Sequence, residues 1–211
     1  MKFTTSRRTY ERADLLEDAV AADPFAQLEQ WLEEAFAAGI PDANAMCLAT
    51  ADRDSQPSAR MVLLRGIDRR GLVFYTSYFS RKGRAIESNP MGAVLFYWPE
   101  FERQVRVEGA LARVSEDESD EYFASRPKGH QLSAWASEQS EPVESRELLD
   151  QRMVDYEHRF EGDDVPRPHS WGGYRLEPAR FEFWQGRPNR MHDRLEYVPH
   201  GRQWRIRRLQ P

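Results

Sequence analysis

Cysteine is nearly absent from this chain: Cys47 stands alone among 211 residues. One thiol excludes an intrachain disulfide and any cysteine-built metal cluster. It also points to a reducing compartment, so a cytoplasmic protein without a structural metal is expected. Cys47 sits in an apolar stretch, where a buried and inert thiol is expected. Long apolar runs are missing as well. Nothing approaches the roughly 20 residues that a membrane-spanning helix needs, and Met1–Arg8 contains no apolar core of a secretion signal. The expectation is no membrane partner. A dominant basic field is lacking too, since the formal net charge is −5, which argues against a general nucleic-acid binder. There is no phosphate-binding Walker loop, no Gly-x-Gly-x-x-Gly turn, no Gly-x-Ser-x-Gly elbow and no His-Glu-x-x-His pair.

What is present is a globular composition, with 40% apolar and 12% aromatic residues. The length suits one domain, read as residues 21–211, preceded by a polar arm over residues 1–20 that orders on binding or assembly. Charge is unevenly spread. Arg60, Arg65, Arg69, Arg70, Arg81, Lys82 and Arg84 face the single acid Asp68 within one stretch, and a second arginine-rich stretch runs from Arg187 to Arg208. Such stretches in an acidic chain suggest sites for small anions, although composition alone favours two solvated strand faces.

Asp23-Pro24 opens a helix whose stripe is Phe25, Leu28, Trp31, Leu32, Ala35 and Phe36, stopped at Gly39. Short β-rich segments follow at Ala45–Ala51, Ala59–Arg65, Leu72–Thr76, Gly92–Trp98 and Gln104–Val114. The second and third of these read as a hairpin around Asp68–Gly71. Arg180–Gln185, Arg190–Tyr197 and Gln203–Leu209 complete the strands, and Gly172-Gly173 marks a tight turn or close backbone approach. Helices are expected over Ser80–Asn89, from the Ser115/Glu118 capping pair to Arg126, over Gln131–Ser137 and over Ser145–Glu161. Closely spaced strands with turn signals favour a mainly antiparallel β-barrel with flanking helices.

Three places could carry chemistry. Ser80-Arg81-Lys82 puts a hydroxyl and two cations at a helix start, where free N–H groups favour a phosphate. Arg60 and Arg65, five apart, point to opposite faces of an unbroken strand. Gln104, Arg106 and Glu108 form the polar face of a strand whose other face is Val105, Val107 and Gly109, and that polar face lines either solvent or a heterocycle. Arg190, His192 and Arg194 alternate, so one strand would present all three on one face, where like charges repel unless an anion or acids neutralise them.

Taken in order, Arg60-Met61-Val62-Leu63-Leu64, Ser80-Arg81-Lys82, Glu102-Arg103-Gln104-Val105, Ser125-Arg126-Pro127, Ser170-Trp171-Gly172-Gly173, Glu182-Phe183-Trp184-Gln185-Gly186 and Arg190-Met191-His192-Asp193-Arg194 resemble the pyridoxamine 5′-phosphate oxidase family over nearly the whole chain. The resemblance implies an FMN-binding split β-barrel, working as a homodimer with FMN at the subunit interface. It implies oxidation of pyridoxamine and pyridoxine 5′-phosphates to pyridoxal 5′-phosphate, with O2 as acceptor and H2O2 as by-product. FMN contacts would fall on Arg60, Met61, Val62, Leu63, Leu64, Arg65, Tyr75, Thr76, Arg81 and Lys82, completed by Gln104, Gln139, Ser140, Trp184 and Arg194, some from the second subunit. The substrate phosphate would meet Arg65, Tyr122, Arg126 and His130. Arg190 and His192 would be catalytic, holding the pyridine ring, and Arg7 and Tyr10 would cover the substrate. Two positions depart from the family pattern: Arg65 replaces a usual lysine and His130 a usual serine. The resemblance also admits a related split-barrel flavin oxidase, such as those of phenazine biosynthesis, or a non-catalytic binder of FMN or pyridoxal phosphate.

Overall fold

The computed structural model describes residues 9–162 and 164–211. After the N-terminal segment comes helix α1 (Pro24–Ala37), which starts where Asp23 accepts a hydrogen bond from the Phe25 amide. It ends in a Schellman arrangement: Gly39, at φ +70, and Ile40 donate back to Phe36 and Ala35. Strands β1 (Ala45–Ala51), β2 (Pro57–Leu63), β3 (Gly66–Asp68) and β4 (Gly71–Ser77) follow, then helix α2 (Arg81–Ser88). Strands β5 (Met91–Trp98) and β6 (Arg103–Arg113) lead to helices α3 (Glu116–Ala124), α4 (Lys128–Ala136) and α5 (Arg146–Arg159). The chain closes with β7 (Trp171–Gln185), a 3-10 turn at Pro188–Arg190, β8 (Asp193–His200) and β9 (Gln203–Arg208). No helix among the described residues is long and apolar enough to cross a membrane.

The strands form an antiparallel sheet in the order β2-β1-β5-β6-β7-β4-β3, with β8 added to β7 and β9 to β8. β2 and β3 stand at opposite ends of that path, yet only Leu64 and Arg65 separate them in sequence. Two residues span a few ångströms, so the sheet curls until its ends meet, as a barrel requires. The seam is stitched by Leu64 N–H to Asn44 O and Arg65 N–H to Val73 O.

β7 is the hub of the curl. It pairs with β6 along its length, with β4 through Trp171–Leu176, and with β8 through Phe181–Gln185. The change of neighbour falls at a bulge, where Glu108 pairs with Arg180 but Gly109 with Pro178. A Cβ on Gly109 would lie 1.9 Å from the Glu177 carbonyl, so the close approach demands glycine.

The inner faces of the strands and the stripe of α1 make the main core. Leu28, Trp31, Leu48, Phe96, Val105, Val107, Phe181, Phe183 and Tyr197 are almost wholly buried in it. Each such side chain contributes on the order of 1.5–3 kcal/mol. A smaller cluster of Phe123, Leu132, Val165 and Trp171 seats α3 and α4, with Met153 and Tyr156 of α5 and the Phe160 that caps it packed on it.

The structure corrects four expectations. The hairpin is β3–β4, while β2 pairs with β1, because the chain breaks at Leu64-Arg65 and Gly66. The last long strand begins at Trp171, since Gly172 and Gly173 lie inside it. They serve close approach there: an added Cβ would sit 2.0 Å from the Tyr78 hydroxyl and 2.6 Å from Val114. β8 starts only at Asp193, because Asn189 and Arg190 adopt left-handed φ of +56 and +62. Finally, Cys47 is half-buried rather than buried.

Candidate active site

A cleft of about 640 Å3 opens between the β2 and β4 strands and helices α3 and α4. Met61, Val62 and Leu63 of β2 form one wall, with Arg65 at the barrel seam. Tyr75 and Thr76 of β4, Lys82 of α2 and Gln139 continue it, and Tyr122, Ser125, Arg126, Pro127, His130 and Trp171 close the far side. No aspartate or glutamate lines this cleft among the described residues.

Its cations are therefore poorly neutralised. The helix start positions Lys82: Ser80 caps α2 by accepting from the Gly83 amide. Gly83 is needed there, because a Cβ would lie 2.1 Å from the Tyr78 carbonyl oxygen. The Lys82 ammonium donates to Gln139 Oε1 at 2.7 Å, Thr76 Oγ1 at 3.0 Å and Ser80 Oγ at 3.2 Å, all neutral acceptors. Burial, aided by the Arg60 charge, pushes its pKa down to about 8. A bound anion would reverse that shift.

Arg126 lies at the other end. Its guanidinium carbon is 4.5 Å from the centre of the Trp171 ring. Its Nη1 group is buried without a hydrogen-bond partner among the described residues. Burial lowers its pKa, and the charge of Arg65 lowers it further against the effect of Tyr122. An unpaired buried N–H beside a cleft awaits an acceptor. Between the two cations stands an aromatic stack: Tyr75 and Tyr122 at 3.8 Å and 14°, with Trp171 parallel at 5.6 Å from Tyr75. Burial raises the Tyr75 hydroxyl to about 12, so it stays protonated.

Several expected residues lie elsewhere. Leu64 is buried in the core. Arg60 points away, donating to Leu48 O at 3.0 Å, Thr50 Oγ1 at 2.8 Å and the Ser58 hydroxyl. Arg81 lines a neighbouring depression with Arg53, Arg84 and Ser58. Ser140 is exposed at φ +76, next to Gln139. Arg7 lies outside the described residues.

Gln104, Trp184 and Arg194 form a row across β6, β7 and β8, each the register partner of the next. Trp184 packs on His192, ring centres 4.6 Å apart, and the Tyr10 ring meets both edge-on at 5.7 and 5.6 Å. None of these residues, nor Arg190, lines the cleft. Arg194 is not an open cation: it meets Glu182 through two bonds of 2.9 and 3.0 Å, and Arg106 joins the same carboxylate at 2.5 Å. The expected single face of Arg190, His192 and Arg194 does not exist, because Arg190 sits on the 3-10 turn and is exposed. His192 accepts from the Arg187 amide at Nδ1, 3.1 Å away. The neutral ring then keeps its proton on Nε2 and can donate from there. Burial and the nearby Arg190 charge lower its pKa, which favours that neutral form.

Ser125, Pro127 and Trp171 line the cleft without being among the expected site residues, and Trp171 is the one that joins the aromatic stack. Its signal was its place before a glycine pair, which lets the backbone approach so that the indole joins the stack.

Comparisons with known proteins show the family. Residues 32–159 match the family model described as pyridoxamine 5′-phosphate oxidase. Residues 171–211 match one described as the pyridoxine 5′-phosphate oxidase C-terminal dimerisation region. A pyridoxine/pyridoxamine 5′-phosphate oxidase of Rubrobacter xylanophilus is 62% identical over 97% of this chain and 94% of its own length. One of Bordetella petrii is 54% identical over the full length of both. Among solved structures, PhzG from Burkholderia lata, in complex with tetrahydrophenazine-1-carboxylic acid, superimposes with a TM-score of 0.88 at 33% identity. It covers 95% of this chain and all of its own.

Proposed function

The chain belongs to the pyridoxamine 5′-phosphate oxidase family, and from that premise we propose that it oxidises pyridoxamine and pyridoxine 5′-phosphates to pyridoxal 5′-phosphate, with FMN as cofactor and O2 as acceptor, giving H2O2. Identity of 54–62% to oxidases of that name, against 33% to PhzG, favours this substrate over a phenazine.

The observation that carries the reading is the cleft with Lys82, Arg65 and Arg126 on its walls and no carboxylate among its described lining. Both FMN and the substrate are phosphate monoesters, and each needs such a cation set. The donor set fits FMN: Lys82 is held by neutral acceptors that an anion can outcompete, and Met61, Val62 and Leu63 offer an apolar strand wall. When bound, FMN would take a hydride from the substrate carbon and return the electrons to O2. The protein's part is binding and orientation. Lys82, with Thr76 and Gln139, holds the flavin phosphate end, supported by Arg60 and Arg81 behind it. Arg126, Tyr122, Arg65 and His130 hold the substrate phosphate. Arg190 and the Nε2–H of His192 orient the pyridine ring. Gln104, Trp184 and Arg194 complete the flavin site.

The last five of these residues stand apart from the cleft of their own chain. A two-fold homodimer, with the matched C-terminal region at its interface, would bring one subunit's Trp184–His192 cluster to its partner's cleft. We read residues 21–211 as one domain acting in the cytoplasm. Purified protein should be yellow and should consume O2 with either phosphorylated vitamer. Colourless protein that no added FMN colours would overturn the cofactor. Yellow protein inert to both vitamers would leave only a binding role.

A further inference from the structure

The backbone of residues 10–15 is tied to the strand ends that carry Trp184 and His192. Glu102 Oε2 accepts from the amides of Glu11 at 3.0 Å and Arg12 at 3.1 Å. The Arg12 side chain donates to Glu100 O at 2.7 Å and lies 4.5 Å over the Phe101 ring. Further along, Asp193 Oδ2 accepts from the Leu15 amide, and Arg187 and Arg208 donate to the carbonyls of Ala13 and Leu15. Glu102 is 6% exposed, sits at φ +57, and receives the Gly186 amide on its own carbonyl. It therefore links the β5–β6 turn, the end of β7 and the N-terminal segment.

The segment places one ring with care. Tyr10 closes over Trp184 and His192, and it fits because residue 186 has no side chain. The three atoms nearest to a Cβ added at Gly186 all belong to Tyr10, at 2.7 to 2.9 Å. Two hydrogen bonds to one buried carboxylate are among the stronger local restraints a chain can make, and they fall one and two residues from Tyr10.

We propose that Glu102 is a positioning residue for substrate binding: its carboxylate pins the Glu11 and Arg12 amides and so fixes the Tyr10 ring against Trp184 and His192. The proposal rests on the reading that Trp184 and His192 belong to the flavin and substrate site. Glu102 touches neither substrate nor flavin on this view. Its loss should weaken substrate binding while flavin binding stays.

The test uses the FMN-loaded full chain with pyridoxine 5′-phosphate. Glu102→Ala should raise KM about tenfold, the order expected for losing one charge-assisted hydrogen bond, with a smaller change in kcat. Exchange of the Glu11 and Arg12 amides, followed by NMR, should accelerate. Glu102→Gln, which keeps one acceptor oxygen, should recover most of both. Gly186→Ala gives an independent route. It leaves Glu102 in place and displaces the Tyr10 ring, so KM should rise while the two amides stay protected. Unchanged amide exchange in Glu102→Ala, accelerated exchange there with unchanged KM, or an unchanged KM in Gly186→Ala overturns the proposal. Should wild-type protein oxidise neither vitamer, the functional reading fails separately, and the pin is then judged on amide exchange alone.

Discussion

Arg126 and Arg194 are both half-buried guanidiniums on the edge of aromatic clusters, yet their surroundings are opposite. Arg194 shares the buried carboxylate of Glu182 with Arg106. Its neighbours follow suit: Arg207 meets Glu196, and Arg208 meets Asp193 and Glu17. Arg126 keeps an unpartnered buried N–H, and the cleft around it has no acid among its described lining residues. In one region the protein supplies the anions, and the arginines hold strands together, so Arg194 would meet a flavin only from within its pair with Glu182. In the other it withholds them, and the cations are left without protein counter-ions among the described lining. Arginine content alone does not separate a scaffold from a site; the placement of carboxylates does.

Breaking the site half should have the largest effect. Arg126→Ala is expected to raise KM for pyridoxine 5′-phosphate by about 100-fold, the order for losing a charged two-bond contact, while the flavin stays bound. Parallel titrations of flavin fluorescence and oxygen uptake check this, and an equal loss of flavin would place Arg126 in the wrong half. Arg190→Ala should lower turnover about tenfold or more while leaving the flavin colour intact; full activity would remove Arg190 from the mechanism.

Breaking the scaffold half should show in stability instead. Glu182→Ala leaves Arg106 and Arg194 without their carboxylate and is expected to cost about 2–3 kcal/mol, below the range for fully buried pairs because both arginines reach solvent. Thermal denaturation reads this directly, and an unchanged Tm together with lost flavin would reverse the assignment.

The smallest effect sharpens the comparison through pH. Lys82 in the ligand-free cleft has a pKa lowered to about 8, and an anion bound beside it raises that value. From about pH 7 up to 8 the ammonium and the phosphate dianion are both largely present and affinity is nearly flat. Above that, binding must take up a proton, so FMN affinity should fall by up to about tenfold per pH unit. Lys82→Met should remove that slope. A wild-type affinity that stays constant from pH 7 to 9.5 would show that Lys82 does not meet the phosphate.

How much of this was legible in the sequence follows from the range of each interaction. Local signals were readable: Asp23-Pro24, Ser80 and the Ser115/Glu118 pair all mark helix starts, because caps are set within three residues. The alternation of Gln104 to Gly109 likewise gave the correct buried face. Pairing partners are less legible: β2 forms a hairpin with the preceding β1, and the three-residue β3, too short to show as a separate strand in the sequence, takes the place beside β4. The period-two reading of Arg190 to Arg194 failed because a strand was assumed where Pro188 and a left-handed Asn189 make a turn. The family motifs name a set of candidate site residues but not their division into a cleft and a separate cluster, which depends on strand order.

The two-residue join between β2 and β3 carries a further consequence for how this protein can change. Leu64 closes the barrel from inside and Arg65 faces the cleft from outside, side by side on the same short link. Most connecting loops accept extra residues at little cost, but a lengthened link here would slacken the wall and withdraw a cleft-lining guanidinium in one step. Variation at this point is confined to exchanging side chains, so the chemistry of this edge of the cleft can drift while its position cannot.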